Sequence, residues 1–178
     1  MKYLLTLFLL VAFYLIPFAQ NQKLLDSLNT SIGLCVNGIN KVNLQCGLAF
    51  ELRNANIDSG LLVLDDALTL AQKLLYKPRV ALMCNHKGVL SKNKTLLSES
   101  IDWYLQPLAI KKQPFDSLEM ASSFNNLGKT YAMMINRVRS VYYCIQSWSI
   151  REGKKDTFGI SALYKQYRPH LYRYERSL

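Results

Sequence analysis

Three stretches of this chain recur at a spacing of 40 residues, and a repeat of that length restricts the fold more than any other feature of the sequence. The run ALMCNHKGVL from Ala81 aligns with ASSFNNLGKT from Ala121, setting Gly88 against Gly128. Ser100 then falls against Ser140, Ile101 against Val141, Leu108 against Trp148 and Ile110 against Ile150. An upstream copy places Gly60, Leu61, Leu64, Ala67, Leu68 and Leu70 against Ser100, Ile101, Tyr104, Pro107, Leu108 and Ile110. Small residues keep register at Gly60, Ser100 and Ser140, and again at Ala67 and Ser147, with Pro107 the misfit. The front half of the first copy is degenerate, with Leu48 in the glycine slot beside Gly47.

Each copy reads as two helices. Ala121–Met134 carries Ala121, Phe124, Leu127, Tyr131 and Met134 at helical spacing. Arg137–Ile150 carries Val138, Val141, Ile145 and Trp148 on one stripe, with Ser140, Cys144 and Ser147 beside it. Ile135-Asn136 between them is a tight turn, and Pro78, Pro114, Gly153 and Gly159 read as breakers between repeats. Leu24–Ser31 is a leading helix, and Ser161–Glu175 a last one interrupted or restarted near Pro169. No stretch alternates with a strand period, so the fold class is all-α, built of antiparallel helix pairs. An interior helical glycine costs about 1 kcal/mol against alanine. The recurrence of Gly88 and Gly128 suggests an offsetting close approach of the two helices of a pair. Trp103, Tyr104, Tyr142, Tyr143 and Trp148 at helical spacing read as core and inter-repeat packing.

Helix pairs with this glycine, two small second-helix positions and first-helix aromatics resemble tetratricopeptide repeats. Phe124, Leu127, Gly128, Tyr131, Ser140 and Ser147 match the family's pattern, and Gly88, Ser100 and Tyr104 match it in the second copy. Cys84, Lys87 and Ser91 depart from it, where larger apolar residues are usual, and the period is similar to that of the long-repeat variety found in bacterial signalling proteins. The resemblance covers about Lys41–Ile160 and implies stacking as a short right-handed solenoid with a peptide-binding groove. It places Leu82, Asn85, Val89, Lys92 and Asn93 in that groove from the second copy, and Ser122, Asn125, Lys129, Ala132 and Met133 from the third. Asn85 and Asn125 would hydrogen-bond a ligand backbone, and Lys92 and Lys129 would meet carboxylates. The lysine and asparagine set of the family's chaperone-binding carboxylate clamp is not matched. The other reading of these polar residues is an ordinary solvated face.

Met1–Gln20 has one lysine, an apolar run from Tyr3 to Ile16, then Pro17 and Ala19, the pattern of a secretory signal peptide. Cleavage is expected after Ala19, with retention as a short anchor the alternative. The apolar run falls short of the ~20 residues of a membrane-spanning helix. The domain reading is a signal at 1–19, a leading cap at 20–40, three helix pairs at 41–160 and a terminal helix at 161–178. The exported domain would be periplasmic or extracellular and would touch a membrane only transiently through its signal.

The net charge is +10, and the excess gathers in Arg151–Leu178, where Tyr164, Tyr167, Tyr172 and Tyr174 interleave with the cations. Basic residues among aromatics mark some nucleic-acid binders, but export argues against that partner and leaves a tyrosine-packed terminal helix. Four cysteines in an exported chain permit disulfides; a Cys35–Cys46 pair is conceivable, and Cys84 and Cys144 read as small core residues. No catalytic motif is present: His86 and His170 are too few for most metal sites, His86 and Cys84 point to different helix faces, and Asp65-Asp66 sit on a solvated side. Asp58 or Ser59 would cap the following helix. The sequence therefore suggests an exported binding scaffold for a protein or peptide, without catalysis, cofactor or metal. Alternatives are the truncated sensory region of a bacterial histidine kinase or transcription regulator, and a basic surface for polyanions.

Overall fold

A computed structural model describes residues 22–76, 79–109 and 117–175, with backbone only for 168–175. The expected signal segment and its expected cleavage site, Pro78, Ile110, Pro114 and the side chains of His170, Tyr172 and Tyr174 lie outside the described residues. The described residues form eight helices and no strand: α1 (22–34), α2 (Gly38–Leu52), α3 (Ile57–Lys73), α4 (Val80–Asn93), α5 (Leu97–Ala109), α6 (Ser117–Met133), α7 (Arg137–Gly153) and α8 (Thr157–Glu175). The chain is all-α, and neighbouring helices pack in pairs: α2 on α3, α4 on α5, α6 on α7. It divides into two compact units, Met1–Lys77 and Pro78–Leu178; in the second, α6 also packs on α4 and α5, and α8 on α7.

The period appears as a repeated helix ending. Thr95 and Ile135 each adopt a left-handed backbone, with φ of 64° and 59°, between the helices of their pairs. Around them the same two bonds form: Leu96 N–H to Ser91 C=O and Thr95 N–H to Lys92 C=O, then Asn136 N–H to Tyr131 C=O and Ile135 N–H to Ala132 C=O. This is the Schellman ending, which satisfies carbonyls that the helix leaves bare. The same ending closes α3 at Leu75 and α7 at Lys155. Asparagines then restart helices, Asn56 accepting from the Ser59 amide and Asn136 from the Arg139 amide. Asn56, not Asp58 or Ser59, is therefore the cap of α3.

The recurrent small residues line the helix contacts. Gly60, Ser100, Ser140, Ala67, Pro107 and Ser147 are all buried, as are Leu48, Gly88 and Gly128 in the glycine slot. Gly88 faces its pair partner: a Cβ there would stand 2.7 Å from Cδ1 and Cζ of Tyr104 on α5. Gly128 faces two helices, since its Cβ would meet the Ser140 carbonyl of α7 at 3.2 Å and press on the Tyr167 hydroxyl of α8. Ser147 Oγ donates to the Ala121 carbonyl at 2.7 Å, and Ser100 and Thr130 hydroxyls pair at 3.3 Å. Tyr104, Ile101, Leu127 and Tyr131 form the core of this unit, with Val89, Leu108, Phe124 and Tyr143 packed against it. Tyr143 stacks on Tyr131 and Phe124 at centroid separations of 5.5 and 6.0 Å.

Several expectations fail here for identifiable reasons. The stripe Val138, Val141, Ile145, Trp148 is exposed, as is Tyr142, because α7 turns its small face of Ser140 and Ser147 inward. A serine-to-carbonyl bond across helices needs a short backbone distance that a valine or tryptophan stripe would prevent. Met134 is exposed at the Schellman turn. Gly159 is no breaker: it lies buried in the first turn of α8, its amide donating to Asp156 at 2.9 Å. The last helix begins at Thr157 and runs past Pro169.

All four cysteines are free thiols, so no Cys35–Cys46 bond forms. Burial pushes the Cys84 and Cys144 thiols up to about 11, and at neutral pH both stay protonated and poorly nucleophilic. Native labelling with iodoacetamide at about pH 8 is therefore expected to modify partly exposed Cys35 first and to leave Cys84 and Cys144 intact. Mass spectrometry of the peptides checks the order.

A candidate polar face on helices α4 and α6

α4 and α6 lie side by side and are tied near their beginnings by a buried polar contact. Ser123 Oγ lies 2.9 Å from Asn85 Oδ1 and 3.1 Å from the Glu119 carbonyl, and its proton serves one of them. Asn85 Nδ2 donates to that same carbonyl at 3.5 Å. Asn85 is 5% and Ser123 0% exposed. Asn85 is thus committed to joining two helices and does not face a groove. Asn85→Ala is expected to lower stability by about 1–2 kcal/mol, because it strips partners from buried polar groups. Urea unfolding checks this, and Asn85→Asp should not recover the loss, because it buries a carboxylate and replaces the donor to the Glu119 carbonyl by an acceptor.

The tie fixes the register of the two helices. Lys92 lies about two turns past Asn85 on α4 and Lys129 about two turns past Ser123 on α6, roughly 10 Å at 1.5 Å per residue, and the Lys92 charge is close enough to act on Lys129. Both are half-buried, and burial lowers the pKa of each. Lys129 is lowered further by its cationic neighbours Lys92 and Arg151. Among the described residues neither ammonium has a carboxylate partner. Asn125, one turn before Lys129, is half-buried and buries its side-chain oxygen without a partner among the described residues.

The other expected groove residues divide between structure and surface. Val89 packs on the core, Leu82 and Ala132 are half-buried, and Met133 and Asn93 are exposed near the ends of their helices. Ser122 is engaged by Arg151, whose Nη2 donates to its Oγ at 3.2 Å. Arg151 also donates Nε to Ser147 Oγ at 3.4 Å and forms a short ion pair with Asp156. The Asp156 carboxyl is held below its ordinary range, first by the Gly159 amide and then by Arg151. Arg151 therefore has a carboxylate partner within the protein, whereas Lys92 and Lys129 have none among the described residues. Residue spacing signalled neither Arg151–Asp156 nor Asn85–Ser123, since both depend on which helix lies alongside.

Among the described residues, no group of three His, Cys, Asp or Glu side chains could hold a metal ion. No protein-family model matches the chain, and no curated protein matches it.

Proposed function

We propose that this chain is an exported tetratricopeptide-like scaffold whose helix pairs stack as a short right-handed solenoid, and whose α4–α6 face binds an acidic segment of a protein partner without catalysis. The repeated Schellman endings and buried small positions support the architecture. One observation carries the binding assignment: Lys92 and Lys129 lie on adjacent helices close enough to act on one another, half-buried, and without a carboxylate among the described residues. Placing two ammonium groups together in a partly desolvated site is unfavourable, and an aspartate or glutamate of a ligand relieves it. Asn125 adds an amide beside them.

The test is selection of peptides from a random display library on the immobilised chain, followed by titration. Enriched peptides should be acidic, and Lys92→Met with Lys129→Met should weaken them by at least about tenfold, in keeping with hydrogen bonds to charged groups. The same double substitution should raise the stability of the unliganded chain near neutral pH. The sign follows from linkage: each folded-state lysine pKa lies below the unfolded 10.5. The unfolded chain therefore binds more protons between those values, and wild-type stability is regained as pH rises through the folded pKa. The advantage of the variant should thus shrink toward about pH 10. Neutral enriched peptides, or acidic ones indifferent to the substitution, would remove the assignment.

A further inference from the structure

The outward face of α7 carries Val138, Val141, Tyr142, Ile145 and Trp148, which are 83%, 47%, 55%, 58% and 36% exposed. They fall at i, i+3, i+4, i+7 and i+10, one continuous stripe. Ile135 in the preceding turn and Phe158 at the start of α8 are also exposed, at 80% and 85%. One period earlier the same positions of α5 read Ser98, Ile101, Asp102, Leu105 and Leu108, of which Asp102 and Ser98 face solvent and Ile101 is buried. Leu105 is exposed, so at these positions α5 presents one exposed apolar residue where α7 presents five. Contiguous exposed apolar surface on this scale marks an interaction site.

Charge at the rim selects the occupant. Between Ile135 and Phe158 stand Arg137, Arg139, Arg151, Lys154 and Lys155 against Glu152 and Asp156, and Arg151 pairs with Asp156. Arg137, Lys154 and Lys155 are exposed near the two ends of the stripe, Arg139 is exposed but donates to the Tyr131 hydroxyl and lies over that ring, and the exposed acid Glu152 follows Trp148 by four residues. Two copies joined through this face by a twofold axis with α7 antiparallel would lay Arg137 and Arg139 of one beside Glu152, Lys154 and Lys155 of the other, a contact with an excess of like charge. An anionic bilayer surface suits the apolar stripe and the cationic excess: Val138, Val141 and Ile145 would enter the acyl boundary, Trp148 and Tyr142 would sit at headgroup level, and the cations, in excess over Glu152, would meet lipid phosphates.

We infer that the exposed α7 stripe, with its rim of Arg137, Arg139, Lys154 and Lys155, docks this domain onto an anionic membrane surface. This contact is separate from any made by the apolar N-terminal segment and does not depend on the α4–α6 face.

The test uses the full chain with Trp103→Phe, leaving Trp148 as the single indole, and vesicles of phosphatidylcholine with or without roughly 30% phosphatidylglycerol. Trp148 emission should shift to the blue and be quenched by bromine-labelled acyl chains on the anionic vesicles only. Val141→Asn with Ile145→Asn, both at exposed positions, should abolish the binding that depends on anionic lipid, or weaken it by at least about tenfold, with an unchanged melting temperature. Vesicle binding without quenching of Trp148 would place the contact elsewhere and overturn the inference. So would self-association lost in the asparagine variant without vesicle binding, which identifies a second copy, or capture of an acidic helical peptide by a face that ignores vesicles.

Discussion

Tyr104→Ala is expected to lower the unfolding free energy by about 3–5 kcal/mol, the range for removing a fully buried large side chain. Tyr104 is 0% exposed and lies in the cluster with Ile101, Leu127 and Tyr131. Its ring also fills the space in front of Gly88, so truncation opens a cavity between α4 and α5 that neither helix backbone can close. The phenol oxygen is different: it is buried without a hydrogen-bond partner among the described residues, and burial pushes its pKa far above the ordinary tyrosine range. Tyr104→Phe should therefore be neutral or stabilising, within about 0.5 kcal/mol, since it removes an unsatisfied polar group and keeps the ring. Urea midpoints of the two variants separate packing from hydrogen bonding. A large loss for Tyr104→Phe would mean that the hydroxyl has a partner.

Gly128→Leu is expected to cost about 3 kcal/mol, the upper part of the range for overpacking. The first added carbon already stands 3.2 Å from the Ser140 carbonyl, a backbone atom that cannot rotate aside, and presses on the Tyr167 hydroxyl. Leucine brings three more carbons into that gap. Gly47→Leu is the internal control, because nothing lies within 4 Å of a Cβ at Gly47 and that residue is exposed. It should change stability little, with the helix preference of leucine over glycine in its favour. Thermal unfolding of both variants tests whether the cost lies in the contact or in the helix.

The sequence made most of the packing legible and less of the surface. The register of Gly60, Ser100 and Ser140, and of Ala67 and Ser147, located the helix contacts, because a side chain at a close approach must be small wherever the contact recurs; Pro107, the misfit, is buried at its place in that register all the same. The turns at Thr95, Ile135, Leu75 and Lys155 were not legible as left-handed, since these residues lack the glycine or asparagine that usually marks that backbone. The α7 stripe shows the limit of periodicity. An apolar face at helical spacing says that a face exists, and the competing small face of Ser140 and Ser147 decided which side turned inward. The candidate site divides in the same way. Lys92, Asn125 and Lys129 are half-buried on α4 and α6, whereas Asn85 is engaged by Ser123. A partner from 38 positions away is set by helix register, which a single chain's spacing does not contain.

The 40-residue period is a period of contacts: Gly88 meets the Tyr104 ring, Gly128 the Ser140 carbonyl, Ser100 the Thr130 hydroxyl and Ser147 the Ala121 carbonyl, each from another helix. The most direct measurement is a double-mutant cycle of Gly88→Ala and Tyr104→Leu, read from urea unfolding. If the slot and the ring are one contact, the alanine that clashes with Tyr104 is relieved when the ring is replaced, and the two effects should couple by more than about 1 kcal/mol. Additivity within about 0.3 kcal/mol would contradict the account.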